Sequence, residues 1–353
     1  MRRLQLAFAA LLLAGEFALG EGTYPGYIWE EVARGVYLHR SIDPLAPPVD
    51  GNCVIIDTGP GVVVVDTHIN PAVARAVVDK VRSTIGKPVT HIVNTHWHDD
   101  HVNGNYVWQQ SFPEASVVAH RATLASLKSD WKPMEEGRQK AYADVEPAAL
   151  IAAADTLKDP AQAMQYRVYA GYVAALKPEL SSLKYVYPDT VFADQLALGS
   201  GSRKLELHWL GRGNTDGDAV VWLPDEKVLV TGDLVVAPIP FAFDSPMVEW
   251  ADTLKRLSGF NAKTIIPGHG PAQSDYAYIE KLLALIEATI DAVRNAHNVG
   301  VSFEELASAV ALSRHHAAFV NGDPAKEFAW QSYFLSPGLK SAWTALGFPV
   351  SDP

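Results

Sequence analysis

"NTHWHDDHVNGN", residues 94–105, follows an apolar run and packs three histidines and two aspartates into six positions. His96, His98, Asp100 and His101 form the pattern H-x-H-x-D-H. Residues two apart in an extended segment point the same way, so His96 and His98 can share one metal ion. A turn after them can aim Asp100 and His101 at a second ion. Imidazole and carboxylate suit zinc, and also iron or manganese; the alternative is a polar surface loop.

Two later stretches add polar side chains at the ends of predicted strands. "VLVTGDLVV", residues 228–236, places Asp233 after a glycine, and "TIIPGHGP", residues 264–271, places His269 between two glycines. Each stretch alone is as typical of a turn or a loop as of a site. Together with H-x-H-x-D-H they supply a carboxylate able to bridge two metal ions and a further imidazole.

Runs rich in β-branched residues alternate with helix-favouring sequence around these motifs. Three consecutive strands are predicted between residues 32 and 67. "NPAVARAVVDKVRSTIG", residues 70–86, begins with Asn-Pro, repeats apolar residues at helical spacing and stops at glycine. Residues 128–184 predict a helical insertion, strands resume after it, and residues 276–353 predict a helical C-terminal extension. Two such α/β halves predict two sheets face to face with helices outside.

Composition narrows the class of protein. The chain has 353 residues, 48% of them apolar, and a net charge of -11. Nucleic acids and anionic membranes require clustered Lys and Arg, and no basic run follows Arg3, so neither is an expected partner. Cys53 is the only cysteine, which excludes an intrachain disulfide, and its strand-like surroundings predict a buried core thiol.

The first twenty residues predict a secretory signal peptide. Arg2 and Arg3 precede an apolar run over residues 4–13, and "ALG", residues 18–20, offers small residues for cleavage. We therefore expect a soluble mature chain that begins at Glu21 and is periplasmic or secreted. The alternative is an uncleaved N-terminal anchor, although the run is too short to cross a bilayer as a helix.

In their order and strand context these motifs resemble the metallo-β-lactamase superfamily, which also contains glyoxalase II and lactonases. The resemblance covers about residues 30–275 and implies a four-layer αβ/βα sandwich with two metal sites at one edge. Asp66 in "VVVVDTH" matches a family aspartate that supports the site from behind, or else is a turn residue. The motifs are "HWHDDH" (96–101), "GNTDGDAVVW" (213–222), "TGD" (231–233) and "PGHG" (267–270). The implied first metal site holds His96, His98 and Asp233, and the second metal site holds Asp100, His101, Asp233 and His269.

The resemblance fails at one position. Where the family usually has Gly-His-Thr, this chain has Gly213, Asn214 and Thr215, so the third imidazole of the first metal site is missing. His208 lies six residues upstream in a predicted strand and cannot replace it. The chain is then a two-metal enzyme with a weakened site, a one-metal enzyme, or a binding protein with decayed chemistry. Asn214 is either a weak oxygen ligand or a catalytic donor whose N–H₂ holds a developing oxyanion.

The resemblance implies an exported metal-dependent hydrolase of a small-molecule substrate. A metal-bound hydroxide would attack an ester, thioester, lactone or related carbonyl, with Asp100 as the catalytic residue that moves its proton. Asp233 favours these substrates, because the family's β-lactamases commonly carry Cys or Ser at this position. The predicted export favours the first alternative, a metallo-β-lactamase that acts on β-lactams. A second alternative is a non-catalytic, secreted metal-binding or partner-binding protein. The helical insertion is expected to cap the site or to form the surface of a homodimer.

Overall fold

The computed structural model describes residues 26–46, 49–131, 136–137, 140, 142–158, 160–181, 183–198, 203–243 and 245–349. The predicted signal peptide, residues 1–20, lies outside the described residues. Within the described part of the chain, no helix is both long and apolar enough to cross a membrane.

The first sheet contains seven strands in sequence order. β1 to β4 pair antiparallel, and β4 to β7 pair parallel. Cys53 is fully buried in β3, as predicted, and burial raises the pKa of its thiol. The carboxyl ends of parallel β4 and β5 lie side by side, which brings Asp66 and Thr95 to one edge of the sheet. The strands β1 to β7 are Tyr27–Ala33, Val36–Ser41, Cys53–Asp57, Val62–Val65, Val89–Asn94, Ser116–His120 and Thr190–Phe192.

The second sheet has the order β12-β11-β10-β9-β8. β11 and β12 are parallel and the other pairs antiparallel, and His208 lies in β9 as predicted. Gly232 interrupts the register between β11 and β12 with a φ of 53°, and a Cβ there would lie 2.5 Å from Thr95 Oγ1. This glycine therefore lets β11 approach the histidine motif. The strands β8 to β12 are Gln195–Leu198, Leu205–Trp209, Ala219–Leu223, Val228–Val236 and Thr264–His269.

The helices follow the sequence pattern. Helix α1, Pro71–Thr84, begins where Asn70 Oδ1 accepts the Ala72 N–H at 2.9 Å, and its proline stands in the first turn, where no N–H is needed. Helices α2 to α4 are Asp99–Val102, Asn105–Ser111 and Arg121–Ser126. Within the predicted insertion, α5 (Pro147–Thr156) and α6 (Pro160–Leu176) pack on each other. Helices α7 to α12 are Met247–Leu257, Ala277–Asn298, Leu306–Ala309, Ser313–Val320, Pro324–Ala329 and Ser336–Ala345, with a π-helical turn at Trp330–Leu335.

The layers are stacked helix, sheet, sheet, helix. The facing sides of the two sheets form one core, which joins Val54 and Val65 to Leu207 and Val221. Helix α1 packs on the outer side of the first sheet. Helices α7, α8 and α12 share a cluster with the outer side of the second sheet. The predicted αβ/βα sandwich is therefore confirmed, and the C-terminal helices belong to its outer layer.

Candidate metal centre

The histidine loop, residues 95–101, begins where β5 ends. His98 is still extended, with φ −62° and ψ 147°, and α2 begins at the next residue. The centroid of the His96 ring lies 4.6 Å from that of the His98 ring and 4.2 Å from that of the His101 ring. The turn of α2 thus brings Asp100 and His101 back beside the extended pair, at the sheet edge that also receives Asp233 and the end of β12 at His269.

The second metal site is formed by two imidazoles and two carboxylates. His101 Nε2 and His269 Nε2 are 3.4 Å apart. Asp100 Oδ2 lies 3.5 Å from His101 Nε2 and 3.1 Å from His269 Nε2. Asp233 Oδ1 lies 3.3 Å and 3.5 Å from the same two nitrogens. Four tetrahedral ligands at zinc distances of about 2.0–2.1 Å would stand about 3.3 Å from one another, and these five separations agree with that spacing.

The first metal site lies beside it and shares Asp233. His96 Nε2 is 3.7 Å from Asp233 Oδ2, the oxygen that does not face the second metal site. Two groups of three residues each offer ligand atoms that lie within 4.8 Å of one another. The first group is His96, His98 and Asp233, and the second group is Asp100, His101 and His269. Each group could hold a metal ion, with Asp233 between them.

Charge at the centre favours a cation. Burial alone would lower the pKa of His101 and His269, but the neighbouring carboxylates raise that of His101 well above its usual value and that of His269 to about 9. Burial would raise the pKa of Asp100 and Asp233, but the histidines bring both below their usual values. Burial, and then His101, lower the pKa of His96. The second metal site therefore attracts positive charge, while His96 offers a neutral ring.

Two buried atoms without a hydrogen-bond partner in the described part of the chain indicate that a metal ion fits among these residues. Among the described residues, His96 Nε2 and Asp233 Oδ1 are buried and have no hydrogen-bond partner. Buried polar atoms are normally satisfied, and a ring nitrogen and a carboxylate oxygen are both satisfied by a cation. The donor set of imidazoles and carboxylates therefore fits metal ions.

Asp66 lies behind the histidine loop, directly after β4. One carboxylate oxygen accepts the Thr95 N–H at 2.8 Å; the other accepts the Thr95 hydroxyl at 2.7 Å and lies 2.8 Å from His101 Nδ1. This contact holds the imidazole proton on Nδ1 and leaves Nε2 free for a metal. Asp66 therefore supports the site from behind, as the resemblance implies.

A clamp that the sequence analysis missed holds the turn carrying His269. Asn52 Nδ2 donates to the carbonyl oxygens of Pro267 and Gly270, both at 2.8 Å. The Asn52 N–H donates to Gly268 O at 2.7 Å. In the sequence, only the glycines beside His269 indicated a turn. Asn52 gave no signal, because an asparagine before a strand is common.

Asn214 lies in the loop between β9 and β10 and is 1% exposed. Its Nδ2 donates to Phe241 O at 2.9 Å, and Ser245 Oγ donates to its backbone oxygen at 3.2 Å. Asn214 Oδ1 has no hydrogen-bond partner among the described residues. The amide is thus fixed by its nitrogen end, and its oxygen end is free.

The aromatic residues near the loop differ in role. Trp108 is fully buried in the core under α1, so it packs rather than lines a pocket. The Trp97 ring is half-buried, 4.8 Å from that of His98. Phe241 presents its ring 5.0 Å from that of His269. Trp97 and Phe241 therefore contact the candidate ligands directly.

Comparisons with known proteins agree with this geometry at low identity. The linear primary-alkylsulfatase of a Pseudomonas species is 25% identical over 290 residues, 75% of this chain and 51% of that protein. The chain thus spans about half the length of this relative. The metallo-β-lactamase type 2 of Bacillus cereus is 22% identical over 68% of this chain and 75% of its own. A Synechococcus hydroxyacylglutathione hydrolase is 29% identical over 35% of this chain and 43% of its own.

Solved structures and a family model make the assignment. A metallo-β-lactamase from Pontibacter korlensis matches with a TM-score of 0.55 and 21% identity, over 74% of this chain and 99% of its own, which shows the common fold. The family model described as the metallo-beta-lactamase superfamily matches residues 46–269, a span that begins before β3 and ends at His269. The chain therefore belongs to the metallo-β-lactamase superfamily of metal-dependent hydrolases.

Proposed function

We propose that this chain is an exported two-metal hydrolase that cleaves an ester, thioester or lactone. The observation that carries the proposal is the set of Asp100, His101, Asp233 and His269, in which one oxygen of each carboxylate stands 3.1 to 3.5 Å from both imidazole nitrogens. Zinc is the proposed ion, because imidazole and carboxylate at these distances suit it. Bound ions supply a hydroxide nucleophile at neutral pH and polarise the scissile carbonyl.

Asp100 is the proposed proton carrier. Its side chain is 10% exposed, whereas that of Asp233 is 1% exposed, so Asp100 is the carboxylate of the pair that reaches solvent. The surrounding histidines hold its pKa below the usual value, so it is ionised and can accept a proton from the nucleophile. It can then return that proton to the leaving group.

The substrate proposal depends on Asp233. As a carboxylate that faces both metal sites, it favours the ester, thioester and lactone hydrolases of the family over its β-lactamases. The names of the relatives cover a sulfate ester, a β-lactam and a hydroxyacylglutathione, so all three bond types belong in the test. Export is proposed from residues 1–20 alone, and N-terminal sequencing of the secreted protein tests it by finding Glu21 first.

The test is hydrolysis of a chromogenic panel containing a carboxyl ester, a thioester, a lactone, a β-lactam and a sulfate ester. We expect zinc-dependent turnover of one of the first three, and Asp100→Asn to lower kcat by about 100-fold or more. Asp99→Asn is the matched control, because its amide oxygen can still accept the Asp100 N–H, now bonded at 3.0 Å. Preferred cleavage of the β-lactam or sulfate would overturn the substrate class. Zinc binding without any turnover would favour the non-catalytic alternative.

A further inference from the structure

The loop that carries Asn214 lies against the neighbours of two candidate ligands. The Ala219 N–H donates to Thr95 O at 2.8 Å, beside His96. A Cβ on Gly213 would stand 2.1 Å from Leu234 Cδ2, beside Asp233. Asn214 follows Gly213 directly, so its loop lies against the two segments that carry His96 and Asp233, both of the first metal site.

The orientation of this amide follows from its one hydrogen bond. Nδ2 faces Phe241 O at 2.9 Å. The reversed amide would set two carbonyl oxygens against each other, which is repulsive, so the assignment of nitrogen and oxygen is determined by the contact. Oδ1 is then the free end, buried and without a hydrogen-bond donor among the residues described.

A free buried acceptor is unfavourable unless something positive meets it. On the neighbouring segment, His96 Nε2 is also buried and has no hydrogen-bond partner among the described residues. A cation held by His96, His98 and Asp233 would satisfy His96 Nε2, and it would satisfy Asn214 Oδ1 as well if that oxygen completes the same ligand set. An oxyanion donor would instead need a free N–H at the site, and the end of Asn214 that is free is its oxygen.

We propose that Asn214 Oδ1 is a ligand of the ion at the first metal site, in place of the missing imidazole. The inference rests on the proposed two-metal function. It makes the two sites unequal, since the second metal site has two carboxylates and two imidazoles, whereas the first metal site has a neutral amide oxygen, two imidazoles and a share of Asp233. An amide oxygen is a harder and weaker zinc ligand than an imidazole, so the first metal site holds zinc less tightly and discriminates less against manganese.

The test is chelator competition with Zn²⁺ and with Mn²⁺, which resolves a tighter and a weaker ion without any substrate. Asn214→Leu is expected to weaken the weaker ion by about 10-fold or more and the tighter ion by less than about 2-fold. Asn214→His is expected to strengthen zinc at the weaker site more than manganese. Ser245→Ala is the control, because it removes the hydroxyl bonds to the backbone oxygens of Asn214 and Phe243 and keeps the side-chain bond from Asn214 Nδ2 to Phe241 O.

Asn214→His covers the case in which the leucine variant does not fold, because an imidazole has an N–H that can donate to Phe241 O and a second nitrogen that can bind zinc. It is expected to bind the weaker ion more tightly than wild type. Two ions with wild-type affinities in the leucine variant, or weaker zinc binding in the histidine variant, would overturn the ligand assignment and leave the hydrolase proposal intact. A wild-type chain that binds no ion would overturn both.

Discussion

Asp66→Asn is the substitution that most directly tests how the second metal site is held. The change keeps the size and shape of the side chain. Its amide oxygen can still accept the Thr95 N–H, but Nδ2 replaces the oxygen that lies 2.8 Å from His101 Nδ1. Two N–H groups then face each other, so His101 must move its proton to Nε2, the atom that faces the second metal site.

The size of the effect follows from the bond that is lost. A hydrogen bond to a charged group contributes about 1.5–3 kcal/mol. At about 1.4 kcal/mol per tenfold, this corresponds to about 10- to 150-fold weaker binding of the tighter ion. Partners of this kind behind a metal ligand typically change affinity by about 10- to 100-fold.

The assay is zinc competition with a chromophoric chelator, with circular dichroism to establish that both proteins are folded. Asp57→Asn is the matched control: this carboxylate pairs with Lys87 at 2.7 Å, is partly exposed and touches no candidate ligand. An Asp66→Asn protein that binds the tighter ion within about twofold of wild type would refute the argument that Asp66 fixes the proton of His101.

Three other outcomes are expected from the same geometry. In metal-free protein, burial raises the pKa of Asp218 to about 8, so the folded state keeps a proton that the unfolded state loses above about pH 4. The free energy of unfolding of the wild type should therefore fall relative to that of Asp218→Asn as pH rises from 4 to 8. The exposed control Asp216→Asn should keep a profile parallel to that of the wild type, and an Asp218→Asn profile parallel to the wild type would contradict the assignment. Gly268→Ala should weaken both ions by about 10-fold or more in chelator competition, because its Cβ would stand 1.9 Å from Asp233 Oδ1, whereas Gly259→Ala, with open space around its Cβ, should not. Removal of zinc should lower Tm in calorimetry, since a ligand at 100 times its Kd stabilises the folded state by about 2.7 kcal/mol; identical melting with and without zinc would argue against a resident ion.

The sequence pattern predicted those helices whose ends are determined by residues close to them in the chain. The sequence predicts a helix over residues 70–86, and α1 spans Pro71–Thr84, because its cap, first-turn proline and terminal glycine all act within a few residues. The π-helical turn at Trp330–Leu335 had no such signal. Its Tyr333 carbonyl accepts the Ala242 N–H at 2.8 Å, and its ring packs 5.1 Å from that of Phe241. These partners lie about ninety residues away, so the change of helical period is a tertiary effect.

The same distinction applies to the site. The sequence predicts six side chains that the fold brings together, but Asp233 lies within β11 and not at its end as expected, at the place where Gly232 breaks the register with β12. The bonds that hold them are long-range: Asn52 reaches carbonyls 215 and 218 positions further along the chain. Asn214 was left between two roles, because only the carbonyl of Phe241, 27 residues away, decides which end of its amide is free.

Backbone strain at the same edge shows how the second metal site is made rigid. Asp66 and His68 both adopt left-handed backbone, with φ of 59° and 68°, which costs about 1–3 kcal/mol for each such residue. Asp66 offsets this through its contacts with Thr95 and His101. Between the two strained residues, Thr67 Oγ1 donates to His101 O at 3.0 Å. The strained segment is thus hydrogen-bonded to both the ring and the backbone of His101.

His68 offsets its own strain through a buried polar chain. Its Nε2 lies 2.8 Å from His39 Nδ1 and its Nδ1 lies 3.1 Å from Asp50 Oδ2, which also accepts the Tyr27 hydroxyl at 2.6 Å. Burial, and then His68, lower the pKa of His39 to about 2, so this ring is neutral. Asp50 is followed by Gly51, where a Cβ would stand 2.7 Å from His101 Nε2. His101 is therefore confined from two sides by the fold itself. A ligand confined before the ion arrives loses little freedom on binding, which is a further reason to expect the tighter ion at the second metal site.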